Sequence, residues 1–161
     1  MAKLLEIQTG KDNPILRKKS VEIKKIDSVL KKFAKDMKMT MIEKDGLGLA
    51  APQVGSNIRM VIVTLNSKSD HETVTTMVNP VILKHGDEIV GAEEGCLSLP
   101  GLWMKVERFK NVVVEFMDLE GEKHVLKLEN LNARVIQHEV DHLDGVLFID
   151  RVKEGNGVIM G

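Results

Sequence analysis

The segment from about Leu131 to Leu143 constrains the fold more than any other part of the chain. Leu131, Val135, His138 and His142 recur at helical spacing along one face, while Ile136, Val140 and Leu143 form a second apolar stripe. A helix that is apolar on more than one side must be covered on more than one side. The other elements therefore have to gather around it. Asn130 reads as its cap and Gly145 as its stop.

Those other elements are mostly strands. Met60-Val61-Ile62-Val63 is a continuous apolar run, the pattern of a strand buried on both faces. Val112 to Met117 and His124 to Leu128 predict a hairpin joined through residues 118–122, and Met77 to Leu83 and Glu88 to Val90 are weaker strand signals, the first interrupted by Pro80. A second helix is expected from Asp27, a good N-cap residue. Leu30, Phe33, Ala34, Met37 and Met41 form its apolar face, Lys31, Lys32, Lys35 and Lys38 the polar one, and Asp45-Gly46 ends it. Ahead of it, Arg17, Lys18, Lys19, Lys24 and Lys25 are either a docking patch or a solvated surface. The sum is an α+β domain, with antiparallel or mixed sheets around a central buried helix. At 161 residues the chain fits one domain, spanning 1–161.

Composition matters here for what it excludes. A net charge of -1 argues against a general nucleic-acid binder. No apolar run approaches the roughly 18 residues of a membrane span, and residues 1–6 lack the apolar core of a signal peptide. A cytoplasmic protein is expected, with a mature organellar form as the alternative. Cys96 is the only cysteine, so the chain forms no internal disulfide and the thiol is free for other chemistry.

That chemistry centres on His138-Glu139-Val140-Asp141-His142. Histidines four apart lie one helical turn apart and can grip one metal ion, with Glu139 placed to take a proton from water. The competing reading is a half-exposed charged turn that matches by chance. A catalytic site usually takes three protein ligands. Phe148 stands six residues beyond His142, where one protease class has its third histidine, and only Asp144, Asp150 and Glu154 offer downstream carboxylates close by. The third ligand is therefore sought upstream. Cys96, in Glu94-Gly95-Cys96-Leu97-Ser98, is the candidate, against the alternative of a buried structural cysteine. One thiolate with two imidazoles suits zinc or ferrous iron. A third block, Gly46-Leu47-Gly48-Leu49-Ala50-Ala51-Pro52-Gln53, meets neither nucleotide-binding pattern. It would let an extended substrate backbone lie close, with the Gln53 carboxamide donating to a developing oxyanion.

Together, in this order, the three blocks resemble the signature motifs of peptide deformylases of the compact bacterial type, and the likeness runs from about Asp12 to Asp150. The resemblance implies a hydrolase that removes the formyl group from the N-terminal formyl-methionine of nascent proteins, releasing formate. It implies that Cys96, His138 and His142 bind one divalent ion, Fe2+ in the cell, with Zn2+, Ni2+ or Co2+ able to substitute. Glu139 resembles the general base, and Gln53 and the Leu97 N–H the oxyanion donors. Gly46, Leu47, Gly48 and Val135 correspond to substrate-binding positions, with Gly48 as backbone partner. Glu94 corresponds to a carboxylate paired with an arginine at Arg108. The implied partners are formyl-methionyl N-termini and, transiently, the ribosome, with no nucleic-acid specificity and no membrane.

Two departures from the family pattern stand out. Trp103 replaces an arginine common beside the groove, and residues 154–161 are too rich in glycine for a C-terminal helix. Two rival functions remain open at this point. A small metallopeptidase would leave Cys96 and Gln53 without roles, and a non-catalytic metal-stabilised module would need a fourth ligand that His71, His85 and His124, in polar stretches, do not obviously supply.

Overall fold

The computed structural model describes residues 2–152 and the backbone of residues 157–159. Its elements are α1 (Pro14–Arg17), α2 (Ser28–Glu43), β1 (Gly48–Ala50), β2 (Met60–Leu65), β3 (Thr73–His85), β4 (Ile89–Cys96), β5 (Leu99–Phe109), β6 (Asn111–Met117), β7 (Lys123–Glu129), α3 (Asn130–Leu143) and β8 (Gly157–Ile159). A five-stranded sheet runs β1-β2-β3-β6-β7 and a three-stranded sheet runs β4-β5-β8. Every pairing within them is antiparallel.

The apolar run in β2 is explained by cover on both sides. Val61, Val63 and Leu65 join Ala133, Val135, Ile136 and Leu143 of α3 in one cluster. Met60 and Ile62 point the other way, into a cluster with Leu30, Ala34, Met37 and Met41 of α2. Successive side chains of a strand alternate faces, so a sheet held between two helices needs apolar residues at every position. A third cluster, with Leu99 and Val106 of β5, Leu16 of α1 and Leu147 and Phe148 after α3, packs the smaller sheet. The α+β expectation therefore holds, with α3 as the buried helix.

Asp27 caps α2 as expected, its carboxylate accepting from the Leu30 N–H at 2.9 Å. The expected hairpin forms as β6–β7, with Val114 opposite Leu126. Pro80 does not break β3, because it falls in a register shift between Val78 and Val81, where the missing N–H costs no ladder bond. The next residue back, Asn79, is left-handed at φ 52, and its side chain bonds both N–H and C=O of Ile23.

One expectation is corrected, and three segments are placed more closely. Asn130 is not the cap of α3; it is the first helical residue, at φ 57, preceded by Glu129, which makes no side-chain cap bond. Within the glycine block, Gly48–Ala50 is a strand paired with β2 and Ala51–Val54 a 3-10 turn. The weak signal at Glu88 to Val90 belongs to β4, which runs on to Cys96 and pairs with the unanticipated β5. Of the basic residues ahead of α2, Arg17 pairs with Asp150, while Lys18, Lys19, Lys24 and Lys25 are exposed. In the glycine-rich end, Gly157–Ile159 pairs with Leu102–Met104, and the rest lies outside the described residues.

Candidate metal centre and substrate groove

Three elements converge on one point. The buried side of α3 carries His138, Glu139 and His142, the end of β4 carries Cys96, and the 3-10 turn after β1 carries Gln53. The ligand atoms of Cys96, His138 and His142 all lie within 4.8 Å of one another, and Cys96 Sγ is 3.4 Å from His142 Nε2. Phe148 does not ligate. Its ring stacks against His138 at 6.1 Å between centroids and backs that imidazole with an apolar wall.

Behind the imidazoles lies a network of buried charge. Glu94 bonds His138 Nδ1 at 2.9 Å, which leaves Nε2 facing Cys96 and fixes the ring. The same carboxylate accepts a fork from Arg108, at 2.8 and 2.9 Å, and a bond from Arg134 at 2.6 Å. Arg108 also donates to Asp141 at 2.7 Å, and Arg151 closes the far side of Asp141. A buried charge persists only when paired. Arg108 thereby ties β5 to β4 and to α3, the two elements that must keep register for cysteine and histidines to meet. Arg134 was not singled out from the sequence, although it lies one turn before His138, on the side that also reaches Glu94.

Electrostatics favour a cation between these groups. Burial opposes charge on His138, but the Cys96 sulfur and the Glu94 carboxylate outweigh it and push the imidazole up to about 10. His142 is held well below its ordinary value by burial and by the charge on His138, so it remains neutral. The pull toward positive charge at His138 suits a metal ion at this point. Burial would raise the Glu94 carboxyl, yet bonds from Arg108 and His138 hold it far below the usual carboxylate range.

Glu139 differs. Burial pushes its carboxyl up to about 7, and Oε1 has no hydrogen-bond partner. A carboxyl with one free oxygen and a pKa near neutrality is suited to take and return a proton. Gln53 is oriented by its surroundings. Its Oε1 accepts from the Ala50 N–H at 2.9 Å, which turns Nε2 toward Ser98 Oγ at 3.2 Å and Cys96 Sγ at 3.5 Å.

These groups open into a groove of about 510 Å³, lined also by Gly46, Leu47, Gly48, Leu97 and Val135. All the site residues singled out from the sequence thus meet there, except His142, which sits behind the wall. Gly48 is required by close approach, because a Cβ on it would lie 2.5 Å from Glu139 Oε2 and 2.8 Å from Cγ. Gly48→Ala is expected to displace Glu139 and lower turnover by about 10²-fold, the usual scale for misplacing a reacting group by an ångström. Bound metal should be unchanged. Normal turnover by steady-state assay, or lost metal by elemental analysis, would contradict this.

Of the remaining histidines, His71 and His85 are exposed. His124 pairs with Asp118 at 2.7 Å and, with Glu122, forms a second group of possible ligands on the β6–β7 hairpin. It contributes nothing to the groove.

The model of the polypeptide deformylase family matches residues 4–157. A peptide deformylase of Picosynechococcus is 42% identical over 139 residues, covering 86% of this chain and 74% of the relative. Among solved structures, the peptide deformylase of Thermotoga maritima superposes with a TM-score of 0.87 at 41% identity, covering 93% of this chain and 98% of that one. The class I type b peptide deformylase of Acinetobacter baumannii with Met-Ala-Ser bound superposes with a TM-score of 0.87 at 35% identity, covering 94% of this chain and 100% of that one.

Proposed function

The chain belongs to the polypeptide deformylase family and removes the formyl group from the N-terminus of nascent proteins, and we propose that it does so around one divalent ion held by Cys96, His138 and His142. The observation that carries this is the convergence of one sulfur and two imidazoles within 4.8 Å, with Glu139 buried beside them. The donor set fits a borderline-soft ion such as Fe2+, our choice for the native metal, with Zn2+, Ni2+ or Co2+ as substitutes. Among the described residues the group offers three side-chain ligands, and a four-coordinate ion held by them would keep one position for water or substrate. An open position supports catalysis over a closed structural site.

When bound, the ion acts as a Lewis acid that polarises the formyl oxygen and acidifies water. The protein supplies the rest. Glu139 takes the proton of the attacking water and passes it to the departing amine. Gln53 Nε2 and the Leu97 N–H hold the oxyanion that forms on the formyl oxygen. Gly48, in β1, offers backbone to an extended peptide, and Gly46, Leu47, Val135 and the carbon edge of His138 receive the methionine. That Met-Ala-Ser is bound in the Acinetobacter baumannii relative supports a peptide beginning with methionine as the ligand.

We take residues 1–161 as one catalytic domain, acting in the cytoplasm on formyl-methionyl N-termini as they emerge, with transient ribosome contact. No helix among the described residues is long and apolar enough to cross a membrane.

Formate release from a formyl-Met-Ala-Ser peptide tests the reading. Internal cleavage of the peptide would make the protein a peptidase instead. In the same assay Gln53→Ala should keep its metal and lose roughly 10²–10³ in turnover, the typical weight of one oxyanion donor. Substrate affinity should change little, since the donor acts mainly in the transition state. Unchanged turnover with much weaker binding would make Gln53 a substrate clamp.

A further inference from the structure

Trp103 lies on β5, where β4 pairs with one edge of the strand and β8 with the other. Its backbone is therefore fixed, yet its side chain is 46% exposed and lines the groove. A large aromatic in that position is usually buried. The ring has a reason to stay in place. A Cβ on Gly95 would come within 2.6 to 2.7 Å of three ring atoms, so the indole lies flat against the backbone of the residue before Cys96. One face of the ring is thereby seated one residue from the metal ligand. Leu47 and Leu131, 39% and 47% exposed, line the same groove. The charges in the lining, Lys44, Asp45, Glu93, Glu94, Arg134 and Glu139, include both signs, and Arg134 is already paired with Glu94.

We propose that Trp103 is a specificity platform on which an apolar or aromatic side chain downstream of the formyl-methionine stacks, so that this protein favours nascent chains with such a residue at position two or three. The inference rests on the deformylase reading of the groove. Indole offers a rigid, amphipathic face at low entropic cost, and aromatic pairs gain energy beyond area burial.

The test compares wild type, Trp103→Ala and Trp103→Phe on formyl-Met-Ala-Ala, formyl-Met-Phe-Ala and formyl-Met-Ala-Phe. Wild type should favour one of the phenylalanine peptides by about 5–10-fold in kcat/KM, mostly through KM. Trp103→Phe should keep most of that preference. Trp103→Ala should abolish it and leave formyl-Met-Ala-Ala within about twofold, because uniform binding energy alone is removed. A direct readout accompanies the kinetics. Trp103 is the only tryptophan and the chain has no tyrosine, so its emission reports the platform alone. Saturation with the product peptide that carries the favoured phenylalanine should shift that emission, and Met-Ala-Ala should not. A preference that survives in Trp103→Ala, or emission that does not distinguish the two peptides, would overturn the proposal. Failure of wild type to release formate, with the emission difference intact, would remove the functional reading and leave the platform standing.

Discussion

Glu139→Gln is expected to fold, keep its metal and lose roughly 10²–10⁴-fold in turnover, the range for a positioned acid–base group. The substitution preserves shape and removes the ability to take a proton. Glu139 is 4% exposed and Oε1 has no hydrogen-bond partner, so an amide can take the place of the carboxylate without breaking a bond to that oxygen. Its carboxyl is pushed up to about 7 by burial, and a bound cation lowers that value by favouring the carboxylate. Because the base must be ionised, wild-type turnover should rise with pH through an acid limb below about 7 and level off above it. The glutamine variant should lack that limb. A pH–rate profile at constant metal occupancy checks both statements. Near-normal turnover in the variant at neutral pH would be incompatible with the role.

The second large effect concerns the metal itself. Cys96→Ala should weaken metal binding by roughly 10²-fold or more, beyond the 10–100-fold usual for losing an outer-shell partner. Activity should fall with occupancy. His85→Ala, by contrast, should keep its metal, because His85 is an exposed residue stacked on Phe109. Elemental analysis of the two anaerobically purified variants compares them directly. Full occupancy in Cys96→Ala would return Cys96 to the role of a half-buried structural cysteine.

Much of this site could be read in the sequence because its key groups sit on periodic structure. His138 and His142 are one helical turn apart in a segment whose apolar pattern already required burial. The elements around that helix were harder to read. In β5, more and less covered positions alternate from Leu102 onward, but Trp103 on the exposed side and Arg108 on the buried side hide that alternation in the sequence, and Pro100 and Gly101 precede it. The length of β5 follows from pairing with β4 across the two-residue connection Leu97-Ser98, which lacks the glycine and asparagine that usually announce a hairpin. Asn130 misled for a related reason: asparagine suits caps, but it also tolerates the left-handed backbone, and the turn out of β7 uses that second property. The charge network was half legible. Glu94 and Arg108 were paired through the family resemblance, whereas Arg134, Asp141 and Arg151 join them only through packing, which brings residues from β4, β5, α3 and the following turn to one place.

The most direct measurement is X-ray absorption at the zinc edge of protein loaded with zinc, together with ion stoichiometry. One ion per chain is expected, with one sulfur scatterer at about 2.3 Å and two imidazole nitrogens at about 2.0–2.1 Å, the remainder of the shell being light. A shell of nitrogen and oxygen alone would place the ion elsewhere, for instance among Asp118, Glu122 and His124, and would contradict the assignment of Cys96, His138 and His142 as the catalytic metal centre.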